Sequence, residues 1–198
     1  HARVLEICDA GQRDQIPCRA RLPSMHTLLR LPSGDKIRMH FLHPAPPSPT
    51  ENEAFSERDA ELIIVAKSVA DTDEPVIVTG DLNDVAWSET TRLFRKISGL
   101  LDPRIGRGMF NTFHAGYWFI RWPLDHLFHS RHFCLSNMRR LRPFGSDHFA
   151  ILTELVLLPG CKTEQDGLDA DSNDVAWANT KADNHGVRKN DVPRPGGH

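Results

Sequence analysis

The stretch Pro75–Trp87, PVIVTGDLNDVAW, decides how the rest of the chain is read. Val76, Ile77, Val78 and Thr79 form a short β-branched run bounded by Pro75 and Gly80, the pattern of a buried strand. Asp81, Asn83 and Asp84 follow at once. A buried strand is a stiff rod, so polar groups at its C-terminal end are held at the rim of the core, where a carboxylate and an amide can be fixed for chemistry. A plainer reading stands beside it, because Asp and Asn are also the usual residues of turns and helix caps.

Working outward, Ser88 to about Ile97 is predicted as a helix with Leu93, Phe94 and Ile97 on its buried face. On the other side, Ser56-Glu57-Arg58-Asp59 reads as a capping box opening a helix to about Ala70, with Ala60, Ile63, Ile64 and Lys67 at helical spacing. Asp71–Glu74 is its exit loop. Further upstream, Thr27–Leu31 and Lys36–Leu42 flank the turn residues Pro32-Ser33-Gly34-Asp35, a hairpin signal, and the second strand delivers His43. Pro44–Pro49 follows, with four prolines in six residues, and is expected to be a stiff extended loop.

Downstream, residues 98–118 are loop-rich. The aromatics Phe110, Phe113, His114, Tyr117, Trp118, Phe119 and Trp122 collect there and are read as core under a long loop, ahead of a substrate platform. Leu124–Ser130 alternates as a strand with Asp125 near its start. His132–Arg142 is a further strand carrying Arg139, Arg140 and Arg142, read as a solvated edge ahead of a phosphate-contacting patch. Phe144–His148 turns into a last strand, Phe149–Leu158. Alternating strands and helices predict a layered α/β domain.

With 198 residues the chain is long enough for one domain with a real core. A net charge of −2 supplies no global field to attract nucleic acid, although a local basic groove stays open. No apolar run is long enough to span a membrane. Cys8, Cys18, Cys134 and Cys161 show no zinc spacing and fit a reducing, cytoplasmic setting, leaving a Cys8–Cys18 pairing open. The first residues, His1-Ala2-Arg3, lack an initiator Met, and Val4–Ile7 looks cut off from something upstream.

The domain is expected to occupy residues 1–158. Residues 159–198, rich in Asp, Asn, Lys, Gly and Pro, are expected to be a disordered tail. That tail repeats the key motif: Asp171–Trp177 matches Asp81–Trp87 in six of seven positions. With no β-branched strand before it, the copy is read as a duplication remnant or read-through tail, not as a second site.

Gly80-Asp81-Leu82-Asn83, Leu124-Asp125-His126 and Ser146-Asp147-His148 each place acid, amide or imidazole beside an apolar strand, and Phe41-Leu42-His43 ends another strand in a histidine. In this order, over about residues 25–157, the set resembles the endonuclease/exonuclease/phosphatase superfamily, its deoxyribonuclease I-like branch in particular. The resemblance implies a four-layer α/β sandwich and a magnesium-dependent phosphodiesterase or phosphatase, with manganese as an alternative ion. It also implies roles. Asp81 would position the attacking water and touch the metal. Asn83 would hydrogen-bond the phosphate, Asp147 would ligate the metal, His148 would act as base, Asp125 would hold His148 in one tautomer, and His43 would be a general acid. Nucleic acid, a phospholipid headgroup or an inositol phosphate are all substrates such a site could take.

One departure matters. The family's early asparagine and metal-binding glutamate lie well upstream of the histidine strand, and Glu6 has the wrong setting to be that glutamate. The domain is therefore expected to be truncated at its N-terminus, to bind magnesium poorly by itself and to expose a sheet edge. A noncatalytic remnant of the fold, acting as a binding module, is the alternative.

Overall fold

In the computed structural model the residues described are 24–44, 52–70, 72–158 and 167–194, with the backbone alone for 52–57. The start at Val4–Ile7, the Cys8–Cys18 pairing, most of the proline segment, Asp71 and residues 159–166 and 195–198 lie outside them. β1 (Met25–Arg30) and β2 (Lys36–Phe41) form the predicted antiparallel hairpin, with His26 opposite His40. β2 then runs parallel to β3 (Val76–Asp81), and α1 (Asn52–Ala70) makes the crossover that parallel strands require. β4 (Asp125–His129) returns antiparallel to β3, giving a four-stranded sheet in the order β1-β2-β3-β4. β5 (Phe133–Arg140) and β6 (Ile151–Leu157) pair antiparallel as a second sheet.

Alternation along β3 places the core on both of its faces. Val76 and Val78 meet Val65, Ala66 and Val69 of α1, Phe128 of β4 and Phe94 of α2 (Glu89–Ser98). Ile77 points the other way, with Ile37, Met39 and Leu127, onto Phe133, Leu155 and Leu157 of the second sheet. Burial on both faces explains the uninterrupted apolar run of β3. Helices, first sheet and second sheet are thus three layers of the expected sandwich. Among the described residues no helix is long and apolar enough to cross a membrane.

Three expectations need correction. The first helix begins at Asn52, a turn before Ser56, so the Ser56–Asp59 box lies inside it. Asp59 is instead buried, accepting from Arg58 at 3.0 Å and from the Thr90 hydroxyl at 2.9 Å. Second, Tyr117, Trp118, Phe119 and Trp122 are exposed, not core; only Phe110, Phe113 and His114 of that group are half-buried. Third, residues 171–184 are not disordered. Asp171 caps α3 (Ser172–Asn184) in a reciprocal capping box with Asp174. Lys96 pairs with Asp174 at 2.7 Å, Lys181 with Asp59 at 2.5 Å, and Ala178 and Ala182 are buried against the helix layer. A mean over a polar segment hides two alanines one turn apart, which are enough to seat a helix when lysines and carboxylates pair around them.

Three buried titratable groups lie in β1, β2 and α1. His26 Nδ1 and His40 Nδ1 are 2.6 Å apart, and burial lowers the two pKa values to about 4 and about 3, so at neutral pH one uncharged ring donates to the other. Burial pushes Glu61 up to about 7, against the pull of its Ser24 hydrogen bond. An acid that binds its proton more tightly when folded stabilises the fold fully below its unfolded pKa, near 4.5, and that contribution is lost as pH rises through about 7. His26 and His40, held uncharged by burial, work the other way, so the Glu61 contribution is read as a difference: Glu61→Gln should make the slope of urea midpoint against pH more positive across this window. A slope unchanged by the substitution would show that Glu61 carries no such titration.

Candidate active site

β3 and β4 end side by side, and their register sets Asp81 directly opposite Asp125. Adjacent carboxylates repel, and an imidazole between them relieves this. His148 Nδ1 lies 2.7 Å from Asp125 Oδ2. A carboxylate only accepts, so Nδ1–H donates, and Nε2 is left facing Asp81 Oδ2 at 3.8 Å. His43, exposed beyond the end of β2, faces the same Asp81 oxygen with Nδ1 at 3.9 Å. One carboxylate oxygen therefore stands between two imidazoles.

The backbone fixes each part. His148 N–H donates to Ser146 Oγ at 3.1 Å, Ala115 N–H donates to Asp147 O at 2.6 Å, and the His148 ring packs on Phe113 at 4.9 Å. Asp125 N–H donates to the Thr112 hydroxyl at 3.2 Å. Asp81 Oδ1 accepts from Asn83 N–H at 2.9 Å, and this turn puts Asn83 at φ 48°, a left-handed conformation that Asn tolerates. Asn83 Nδ2 donates to Pro44 O at 2.8 Å, which leaves its second amide hydrogen uncommitted among the described residues.

Electrostatics follow from this crowding. Burial raises the Asp81 pKa above the usual carboxylate range and the Asp125 charge adds to it, against the Asn83 N–H and the two histidines. For His148, burial works against the proton, but the Asp125 hydrogen bond and the charges of Asp125, Asp81 and Asp147 outweigh it, so its pKa is raised.

The turn reading holds for the third acid. Asp84 accepts from Val85 N–H at 2.9 Å, Ser88 Oγ at 2.5 Å and Thr91 Oγ1 at 3.2 Å, locking the entry of α2. Other residues, given no role of their own from the sequence, support the site. Arg58 Nη1 donates to Asn83 O at 3.0 Å. His126, fully buried, accepts at Nδ1 from Arg104 at 2.8 Å, so its Nε2–H donates to Asp84 O at 2.9 Å; burial, then the Arg104 charge, lowers its pKa to about 4. No local signal marks the Arg58–Asn83 and Arg104–His126 contacts, whose partners lie 25 and 22 residues apart. The histidine of Leu-Asp-His is structural while the aspartate faces the cleft, as strand alternation requires.

The structure gathers His43, Asp81, Asn83, Asp125 and His148 at one sheet end. Asp147 is exposed beside His148. Among the described residues no three His, Cys, Asp or Glu side chains form a group that could hold a metal ion. The donors that remain, Asp81 Oδ2 and the Asp147 carboxylate, are hard oxygens. Oxygens of this kind are the donors that a hard divalent cation such as magnesium takes.

The sequence matches the Endonuclease/Exonuclease/phosphatase family over residues 10–148. The chain belongs to this family. Solved structures agree on the fold. An endonuclease/exonuclease/phosphatase from Beutenbergia cavernae DSM 12333 superposes with a TM-score of 0.55 at 20% identity, covering 70% of this chain and 40% of that one. The human Nocturnin catalytic domain with bound sulfate anion gives 0.53 at 18%, covering 69% and 53%. A humanized D. rerio TDP2 carrying 14 mutations gives 0.56 at 17%, covering 71% and 63%. The chain spans 40–63% of the length of these three structures. No curated protein matches it. The endonuclease/exonuclease/phosphatase fold is thus the deoxyribonuclease I-like α/β sandwich, with the Asp81–Asp125–His148 cluster at the strand ends where open α/β sheets carry their ligands.

Proposed function

We propose that this chain carries the acid–base residues of a metal-dependent phosphate-ester hydrolase. The observation that supports this most is His148: its Nδ1 is committed to Asp125 at 2.7 Å while Nε2 stands 3.8 Å from Asp81 Oδ2. That gap is too long for a direct hydrogen bond, and a water at its apex reaches both atoms. In this reading Asp81 orients the water and His148 Nε2 takes its proton as the oxygen attacks phosphorus. Asp125 keeps the imidazole in the tautomer that can accept. The uncommitted Asn83 amide hydrogen binds a phosphoryl oxygen, and His43 returns a proton to the leaving oxygen. Magnesium, or manganese in its place, held by Asp81 and Asp147, would neutralise charge on the phosphoryl oxygens.

The test is turnover of bis-para-nitrophenyl phosphate with magnesium, and its pH profile. A base works only when neutral, so activity should climb as pH rises through the raised pKa of His148. Asp125→Asn removes the largest of the interactions that raise that pKa and leaves the charges of Asp81 and Asp147 against the burial that lowers it. The climb should then move to lower pH, with kcat reduced about tenfold. A profile that does not move would exclude His148 as the base.

The lack of a three-residue metal group among the described residues favours a second reading, a noncatalytic binding module. Inorganic phosphate binding without turnover in magnesium or manganese would select it.

A further inference from the structure

Residues 117–122 put large aromatic rings into water. Trp118 is 83% exposed and Phe119 63%, with Tyr117 and Trp122 also open. The rings lie on one another: His114 on Tyr117 at 4.6 Å, Tyr117 by Phe119 at 6.0 Å, Trp118 by Phe119 at 5.7 Å. The row runs into the catalytic cluster. Trp122 stacks on Phe113 at 6.3 Å and 20°, and Phe113 packs on the His148 ring at 4.9 Å. A contiguous exposed apolar patch of this kind marks a binding surface.

One cation, Arg121, lies within the stretch, and others lie on the residues around it. Arg121 and Arg140 sit over the Phe149 ring at 5.1 and 4.3 Å. The preceding residues of the same loop wall a cleft with Trp87, in which Arg95, Arg104 and Arg107 face a single carboxylate, Asp102. Arg104 already occupies Asp102 at 2.8 Å, and Arg95 Nε is buried without a partner among the described residues.

We propose that Tyr117–Trp122 is a stacking subsite for unpaired nucleobases, which makes the substrate single-stranded nucleic acid; this rests on the phosphate-ester hydrolase reading above. Every base offers a π-face, so an aromatic row accepts successive bases whatever the sequence, and flanking arginines take the phosphates. In a duplex those faces are covered by neighbouring pairs. The net charge of −2 also provides no general field for duplex binding. A bilayer also receives Trp and Phe, but it would need the rings on a projecting tip, whereas this row ends against His148.

Tryptophan fluorescence in EDTA reads binding without turnover. A short oligodeoxythymidylate is expected to quench the full chain, and the same strand annealed to its complement to quench it far less. Trp118→Ala should weaken binding about tenfold, and Trp118→Phe should restore most of it. Equal binding of strand and duplex, no effect of Trp118→Ala, or a response to phosphatidylserine vesicles in place of the strand would overturn the proposal. The small diester separates the two readings. Strand binding with no turnover of it leaves the subsite standing and removes the hydrolase; turnover without strand preference does the reverse.

Discussion

Asp81→Asn should lower turnover of a phosphodiester about a hundredfold or more, with the fold unchanged. The substitution is isosteric. Its oxygen can still accept from Asn83 N–H, the one hydrogen bond the Asp81 side chain makes among the described residues, so the turn into Asn83 survives. What it removes is the anionic oxygen between His148 and His43, at 3.8 and 3.9 Å. An amide placed there presents N–H where a water must be held by an acceptor, and it binds magnesium less well than a carboxylate. The loss should fall on kcat more than on KM, because positioning the water matters most in the transition state. Equal circular dichroism and melting for both proteins guard against a folding artefact. Turnover within a few-fold of the parent would remove Asp81 from the reaction.

Gly80→Ala should destabilise the domain by about 3 kcal/mol or more. Gly80 has φ +148°, which L-residues rarely adopt, and an added Cβ would lie 1.9 Å from the carbonyl oxygen of Leu42. That neighbour is backbone at the end of β2, held by Leu42 N–H to Thr79 O at 2.9 Å, so it cannot swing aside as a side chain would. Relief requires β2 and β3 to separate where they deliver His43 and Asp81. Melting should drop by about 6 °C or more. Gly34, at φ +93° with open space around it, is the control: Gly34→Ala carries the strain alone, about 1 kcal/mol. Equal losses at the two positions would show that crowding at Gly80 is not what limits the fold.

The strand–motif junctions were legible because their chemistry is local. A β-branched run ending in Gly-Asp needs no distant partner to be recognised, and the same holds for Leu-Asp-His and for the hairpin around Ser33-Gly34. The fold lay in those junctions, and so did the residues that meet at the sheet end. Where residue type was the only guide, the reading stayed open or went wrong. Asp81 and Asp84 are three residues apart and chemically identical, yet one faces open space between two histidines and the other is spent on Val85, Ser88 and Thr91. The aromatics of residues 117–122 have the composition of a core and the exposure of a surface: the ring that packs on His148 is Phe113, outside that stretch. Arg58, Thr112 and Lys181 act through partners at least 13 residues away, a separation that no spacing rule covers.

The helix Ser172–Asn184 has a practical consequence. Lys181 grips Asp59, Asp59 is shared with Arg58, and Arg58 carries the carbonyl of Asn83. Anyone trimming this protein to a minimal unit at Leu158 would strip a counter-ion from beneath the loop that bears Asp81 and Asn83, and would uncover the apolar seat of Ala178 and Val192. The helix opened by the repeated Asp-x-Asn-Asp-Val-Ala-Trp segment, spare to the eye along the sequence, braces from below, through Lys181, the loop that carries the first copy.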